Sequence, residues 1–296
     1  RKGDPGAQSA VGALYYDGEG FPKDIGKAVE WLEKGSAGGD TGAMTLLGLI
    51  RIFEDGFTDP DQGVDLLREA SSAPEADPEL QGLLARLLYD GEMWGIERDL
   101  DECAEWAEKA SEGDDPDGVG LLALLYYFGE GVDENDERAL ELAERAAAED
   151  SSLGRAVLAW IYYEGVAADE DLEKARLLAL DAAEQEESLA QGLLAFMYLK
   201  GHGVEADGET AEGWARRASE QGNEFGWFVL GSLYLSGNGI EQDLPAAWAY
   251  LDMADGRNIV DAEELKKKAW EKMSKKERQR AAELRNRWTE ERVLPR

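Results

Sequence analysis

A short glycine turn returns at a nearly fixed interval along this chain. Its leading glycines stand at Gly18, Gly56, Gly91, Gly129, Gly165, Gly201 and Gly237, separated by 38, 35, 38, 36, 36 and 36 residues. A period in this range marks stacked supersecondary units, none of which can bury its apolar face alone. The chain must therefore be read as an array before it is read as a domain.

Each turn follows a helical segment carrying a leucine, a small residue and an aromatic. Examples are "VGALYYDGEGF" at 11–21, "LLALLYYFGEGV" at 121–132 and "LGSLYLSGNGI" at 230–240. The small residues are Gly12, Gly48, Ala85, Ala123, Ala159, Ala195 and Gly231. One small side chain per unit lets a neighbouring helix come close. The glycines then break the helix, because glycine enters left-handed dihedrals without steric cost.

A second helix follows, headed by Asp24, Asp59, Asp99, Asn135, Asp171, Asp207 or Asp243. Asp and Asn suit that place because their side chains accept from unpaired N–H groups at a helix start. Four residues on stands a small residue: Ala28, Gly63, Cys103, Ala139, Ala175, Ala211 or Ala247. Three further on stands a large one: Trp31, Leu66, Trp106, Leu142, Leu178, Trp214 or Tyr250. That spacing puts both on one helix face. Asp4 and Asp40 match as caps of first helices, with Pro5 at the favoured first position. The second unit, "LGLIRIFEDGF", is the most degenerate, and "SSAPEADPEL" at 71–80 predicts a kink nearby.

Past Asp261 the period stops. Two terminal helices are expected, with Ser274 and Glu277 as a capping box and Ala281, Leu284 and Trp288 as an apolar stripe. They would cap the last apolar face of the stack. The expected organisation is all-α: a solenoid of seven helix pairs over 4–261 and capping helices over 262–296.

Acidic residues number 64 against 31 basic ones, a formal charge of −33. Such a surface repels nucleic acid and anionic lipid and attracts cationic partners. Solubility, or a salty habitat, would also account for it. The charge is uneven: residues 262–296 carry a net +5 and residues 1–261 a net −38. A basic face on the cap could meet nucleic acid or lipid; complementing the acidic solenoid beneath it is the favoured account. With no apolar run of 18 residues, no transmembrane helix is expected. The chain opens "RKGDPGAQ" without a methionine or signal peptide, so a cut or processed N-terminus is expected, which a secretory signal could have preceded. A single cysteine excludes a disulfide framework and a thiolate metal cluster.

Catalytic chemistry is sparse. His202 is the only histidine, in a turn slot filled elsewhere by Glu19, Glu130 and Asn238. Cys103 occupies a slot that is otherwise Ala or Gly, as befits a small buried thiol. The acidic groups Asp114, Asp115 and Asp117, or Asp133, Glu134 and Asp136, match no calcium-loop spacing and read as solvated loop charge. No catalytic residue, metal ligand or cofactor is expected.

The unit, best matched by "AQSAVGALYYDGEGFPKDIGKAVEWLEKG" at 7–35 and nearly as well at 190–218, resembles the Sel1-like repeat, a relative of the tetratricopeptide repeat. The resemblance covers about 4–261 and extends to the cap. It implies a right-handed α/α superhelix and a protein-binding scaffold. Family members serve as adaptors in signalling, quality control, host interaction and envelope assembly, and some neutralise secreted bacterial toxins. The cysteine pairs of members linked to β-lactam binding are missing here, so that activity does not carry over.

In related repeats certain first-helix positions line the concave surface. One such position holds Tyr16, Ile52, Tyr89, Tyr127, Tyr163, Leu199 and Leu235; another holds Ala13, Leu49, Arg86, Leu124, Trp160, Phe196 and Ser232. Phe228 lies one helical step earlier. These residues either fill inter-helix core or form a partner groove. The groove assigns Tyr16, Tyr89, Tyr127, Trp160, Tyr163, Phe196 and Phe228 to partner binding, since Tyr and Trp commonly anchor interfaces. Carboxylates around it would suit a basic protein partner. The expected function is a non-enzymatic interaction scaffold. Its sharpest form is a bacterial immunity protein against a toxin effector; the alternative is a general adaptor in envelope or signalling assembly, with a hydrolase last. A periplasmic or otherwise exported location is expected, with the cytoplasm as alternative.

Overall fold

A polar side chain heads the first helix of every unit, at Asp4, Asp40, Asp77, Asp115, Ser151, Glu187 and Asn223. Each accepts from an N–H two or three residues on, at 2.7–3.3 Å. The last four of these caps are buried. Buried caps satisfy helix starts that water cannot reach. The computed structural model describes residues 3–255, 259 and 261–291.

Two compact units make up the chain, Arg1–Asn135 and Asp136–Arg296. The first contains α1 (Pro5–Asp17), α2 (Ile25–Ala37), α3 (Thr41–Phe53), α4 (Pro60–Ser71), α5 (Pro78–Tyr89), α6 (Leu100–Glu112) and α7 (Pro116–Phe128). The second contains α8 (Asp136–Ala148), α9 (Ser152–Glu164), α10 (Leu172–Glu184), α11 (Ser188–Lys200), α12 (Gly208–Glu220), α13 (Glu224–Ser236), α14 (Leu244–Asp255), α15 (Ala262–Lys272) and α16 (Lys275–Glu291). Within each unit, helices next to one another in sequence pack together as far as α15, and α16 packs back on α14. The odd-numbered helices α1–α13 are the first helices of the repeats, and α2–α14 the second. The Pro-rich stretch 71–80 joins α4 to α5 inside the first unit.

Small residues form the seams between helices. A Cβ on Gly12 would stand 2.7 Å from Leu32 Cγ, and one on Gly231 would stand 2.5 Å from Leu251 Cγ. On the other side of the first helix, a Cβ on Gly118, Gly154 or Gly226 would meet the Cβ of Ala110, Ala146 or Ala218 at 2.4–2.8 Å. Ala28, Cys103, Ala139, Ala175, Ala211 and Ala247 are fully buried. Packing this close leaves no room for an added methylene.

The turn is held by a recurring backbone clamp. The N–H at the head of the second helix donates to a carbonyl in the first: Asp24 to Tyr15, Asp59 to Arg51, Asn135 to Tyr126, Asp171 to Tyr162, Asp207 to Tyr198 and Asp243 to Tyr234, at 2.7–3.1 Å. The side chains of Asp24, Asp59, Asp99, Asp171, Asp207 and Asp243 then cap the second helix, as the sequence implied. Repeat three has a turn two residues longer, and among the described residues no such clamp reaches Asp99; Ile96 N–H donates to Gly91 instead, at 2.8 Å.

Gly18, Gly129, Gly165, Gly201 and Gly237 end their helices in the left-handed region, as expected. Gly56 and Gly91 do not. The helix α3 is followed by extended Glu54, and Gly91 opens a 3-10 turn where a Cβ would meet the Ile96 carbonyl oxygen at 2.7 Å. The sequence pattern located these turns but merged two different jobs for glycine.

The cap sits on α14. Lys266 and Arg285 both pair with Asp252, at 3.2 and 3.0 Å, and Arg280 pairs with Asp243 at 2.8 Å. Leu284 buries against Ala246 and Ala249, beside Tyr234 and Trp248. Ser274 and Glu277 form the expected reciprocal capping box. The basic cap thus complements acidic residues of the solenoid. The Trp288 side chain of the expected stripe lies outside the described residues.

Asp115 gives a pH-dependent prediction. Burial raises its pKa, Gly118 N–H opposes that by donating to the carboxylate, and Asp117, Glu79 and Asp77 push it up further. Its charged form is therefore less favoured in the fold than in the unfolded chain. The stability linked to this group is present below the unfolded pKa and lost as pH rises. Asn223 makes the same cap uncharged. Asp115→Asn should therefore raise the urea midpoint at neutral pH and give no gain near pH 3, read from unfolding curves at the two pH values.

Candidate functional site

In the second unit, three first helices bring their aromatic side chains together. Trp160 and Tyr163 lie one turn apart on α9, Phe196 on α11, and Phe225 and Phe228 one turn apart on α13. Ring centroids are 4.5 Å apart for Trp160–Phe225, 5.7 Å for Trp160–Tyr163, 6.0 Å for Tyr163–Phe196 and 6.1 Å for Phe196–Phe228. Gly192 on α11 makes room for Phe225, since a Cβ there would lie 3.1 Å from Phe225 Cβ.

The cluster has a floor and an upper layer. Trp160 is 2% exposed and Phe228 4%. The Trp160 indole N–H donates to the Leu189 carbonyl at 3.4 Å. Tyr163, Phe196 and Phe225 are half-buried and sit nearer solvent. At the edge stand exposed His202 and Lys200. His202 Nδ1 hydrogen-bonds with the Tyr163 hydroxyl at 2.8 Å, and Lys200 Nζ lies 5.2 Å from the Phe196 ring centre. Burial pushes the Tyr163 hydroxyl up to about 12, with Glu164 and Glu170 adding to the shift. The immediate surroundings therefore mix a lysine cation with carboxylates.

In the first unit the candidate tyrosines meet different partners. The Tyr16 hydroxyl donates to Glu54 at 2.9 Å, with Lys23 over its ring; that hydrogen bond, then burial, raises its pKa. Tyr89 carries the Arg98 guanidinium on its ring, 4.8 Å from the centre. Tyr127 is 8% exposed and packs edge-on against the more exposed Phe128. Ile52, at the same repeat position, is buried core. Of the seven residues assigned to partner binding, Tyr127, Trp160 and Phe228 are placed in the core, and Tyr16, Tyr89, Tyr163 and Phe196 are half-buried. Sequence reasoning did not single out Phe225. Its spacing of three from Phe228 was the signal that would have found it.

The other candidates are accounted for locally. His202 bonds to a tyrosine held neutral, which is a poor nucleophile. Among the described residues, no group of three His, Cys, Asp or Glu is placed to hold a metal ion. Burial pushes the Cys103 thiol up to about 12, with Arg98 opposing and Asp90 and Glu130 adding to it. Thiolate is the reactive form. Cys103 in the native protein at pH 8 should thus react with a thiol reagent on the order of 100-fold more slowly than in urea; equal rates would place it at the surface.

Helix pairs joined by small-residue seams, with aromatic side chains gathered on the first helices, define a helical-repeat scaffold. The Sel1 repeat model matches residues 5–40, 41–74, 78–115, 119–151, 153–186, 188–223 and 228–254. The chain belongs to the Sel1 repeat family, whose members are typically protein-interaction scaffolds and generally non-catalytic. A Sel1 repeat protein from Oxalobacter formigenes is 26% identical with a TM-score of 0.55, covering 90% of this chain and 77% of that one. A protective antigen of uropathogenic Escherichia coli with the same repeat fold is 23% identical with a TM-score of 0.53, covering 98% and 77%. No described helix is long and apolar enough to cross a membrane.

Proposed function

We propose that this chain binds a protein partner through the aromatic faces of its first helices, centred on Tyr163 and Phe196. The observation that carries this reading is the layered cluster: half-buried rings rest on a rigid buried floor, with polar groups at the edge. Interface hot spots share that build, an aromatic anchor supported from below and ringed by polar residues. A partner captured from bacterial extract should bind Tyr163→Ala/Phe196→Ala at least about 30-fold more weakly, with the fold unchanged by circular dichroism. Equal affinity would remove this face from the interface.

The net charge of −33 favours a partner with a basic surface, because opposite charge speeds encounter. Rigid aromatics rather than flexible methionines favour one committed partner over many. Together they support the narrower proposal of an immunity protein that neutralises a toxin effector, acting in the bacterial periplasm; a general adaptor is the alternative. Co-expression with toxins encoded beside the gene separates them. An immunity protein restores growth and binds at nanomolar strength with a salt-sensitive on-rate. An adaptor gives no rescue.

A further inference from the structure

Two turns depart from the repeat, and each places an aromatic ring at the surface. Phe53 ends α3 at a position held by Asp17, Asp90, Glu164, Lys200 and Ser236 in five other repeats and by Phe128 in the fourth. Trp94 ends the 3-10 turn inside the long turn of repeat three. The rings meet edge to face, with centroids 4.9 Å apart and planes at 84°. Both remain open to solvent, Phe53 at 44% and Trp94 at 40% exposure. Their turns lie side by side: a Cβ on Gly95 would stand 3.8 Å from Pro60 Cγ. Rings this exposed contribute little burial to the fold.

The chain itself shows what its indoles attract. Lys34 lies over Trp31, Lys109 over Trp106, Arg217 over Trp214 and Arg278 over Trp270, at 3.7–5.1 Å. Among the described residues, no cation of this chain is placed over Trp94. Nor does its neighbourhood offer a spare one. Residues 35–108 hold 18 acidic residues, four arginines and no lysine. All four arginines are paired with carboxylates: Arg51 with Glu33, Arg68 with Asp65 and Glu102, Arg86 with Asp90 and Arg98 with Glu130. Exposed carboxylates Asp55, Asp59, Glu97 and Asp99 stand in the same two turns.

We infer that the Phe53–Trp94 pair is a docking point for a basic segment of a protein partner, with an Arg or Lys head lying on the open ring face. The surrounding carboxylates supply the field, and the rings supply the place. Cation–π contact adds to charge attraction and is strongest at Trp, with Arg the commoner cation. Arg also stacks flat on an aromatic face, which a Lys ammonium does not. This point is distinct from the Tyr163–Phe196 cluster and can fail or hold independently of it.

A hexa-arginine peptide and its hexa-lysine counterpart are the probes, titrated in about 150 mM salt, where distant surface charge is largely screened. The Trp94 indole resonance, assigned by its loss in Trp94→Ala, should move with saturable binding, further for arginine than for lysine. Phe53→Ala/Trp94→Ala removes no charge and should weaken hexa-arginine about tenfold, at the upper range of two cation–π contacts. Trp94→Leu, which keeps apolar bulk, should lose affinity as well. Tyr163→Ala/Phe196→Ala should leave this binding unchanged, which separates the two sites. An unmoved Trp94 resonance, or a double-variant affinity within twofold of wild type, would overturn the proposal and leave charge alone.

Discussion

Gly131→Ala should lower stability by about 3 kcal/mol or more, while Gly20→Ala, at the same place in the first repeat, should cost only about 1 kcal/mol. Both glycines are left-handed, at φ 70° and 75°. They differ in what an added Cβ would meet: the Leu100 carbonyl oxygen at 2.1 Å for Gly131, and nothing within 4 Å for Gly20. Gly203 and Gly239 face the start of the preceding repeat's second helix in the same way, against Leu172 and Gly208. Around Gly20 the described residues place no such helix start. At Gly131, Gly203 and Gly239 the second glycine is therefore a contact between repeats, and its conformation alone is the lesser constraint. Ala167 supports this, since it holds φ 54° at the corresponding place with its side chain exposed. Urea unfolding of both variants measures the difference. Equal midpoints would mean that left-handed strain, not repeat contact, sets the cost.

Deleting residues 262–296 should lower the melting temperature by about 10 °C or more and promote self-association. The deletion uncovers Ala246, Ala249 and the Trp248 side of α14, and strips Asp252 and Asp243 of Lys266, Arg285 and Arg280. An uncapped repeat presents apolar surface that its neighbour would have covered. A loss of several kcal/mol corresponds to a fall of this size in a chain of this length. Lys266→Glu/Arg285→Glu in the intact chain isolates the electrostatic part, which should be smaller because such partly exposed pairs contribute about 1 kcal/mol or less. Light scattering with thermal melts tests both. A truncated chain that stays monomeric and melts with the intact protein would show that the cap covers nothing essential.

The periodic part of the fold was legible because it is written in residue types whose physics is local. Aspartate caps, small seam residues and left-handed glycines act within a turn or between adjacent helices, so spacing alone exposes them. The buried first-helix caps were harder to find. They vary from Asp to Ser, Glu and Asn, and only Asp4 and Asp40 stood out before the 36-residue offset was followed to Ser151, Glu187 and Asn223. The aromatic face was legible by position but not by depth. Repeat spacing puts Trp160 and Phe196 at equivalent places, yet Trp160 is floor and Phe196 lies nearer solvent. Depth depends on neighbours such as Gly192 and Phe225, which belong to other repeats. Phe53 and Trp94 escaped notice for the opposite reason, since each sits where the repeat is broken.

Hydroxyl-radical footprinting of the protein, alone and with its captured partner, tests the binding-scaffold account most directly. Oxidation reports side-chain access residue by residue. The account predicts that Tyr163, Phe196 and His202 lose reactivity in the complex, while Leu177 on α10 and Trp214 on α12 keep theirs. Protection confined to the second helices, with Tyr163 and Phe196 as reactive as in the free protein, would contradict it.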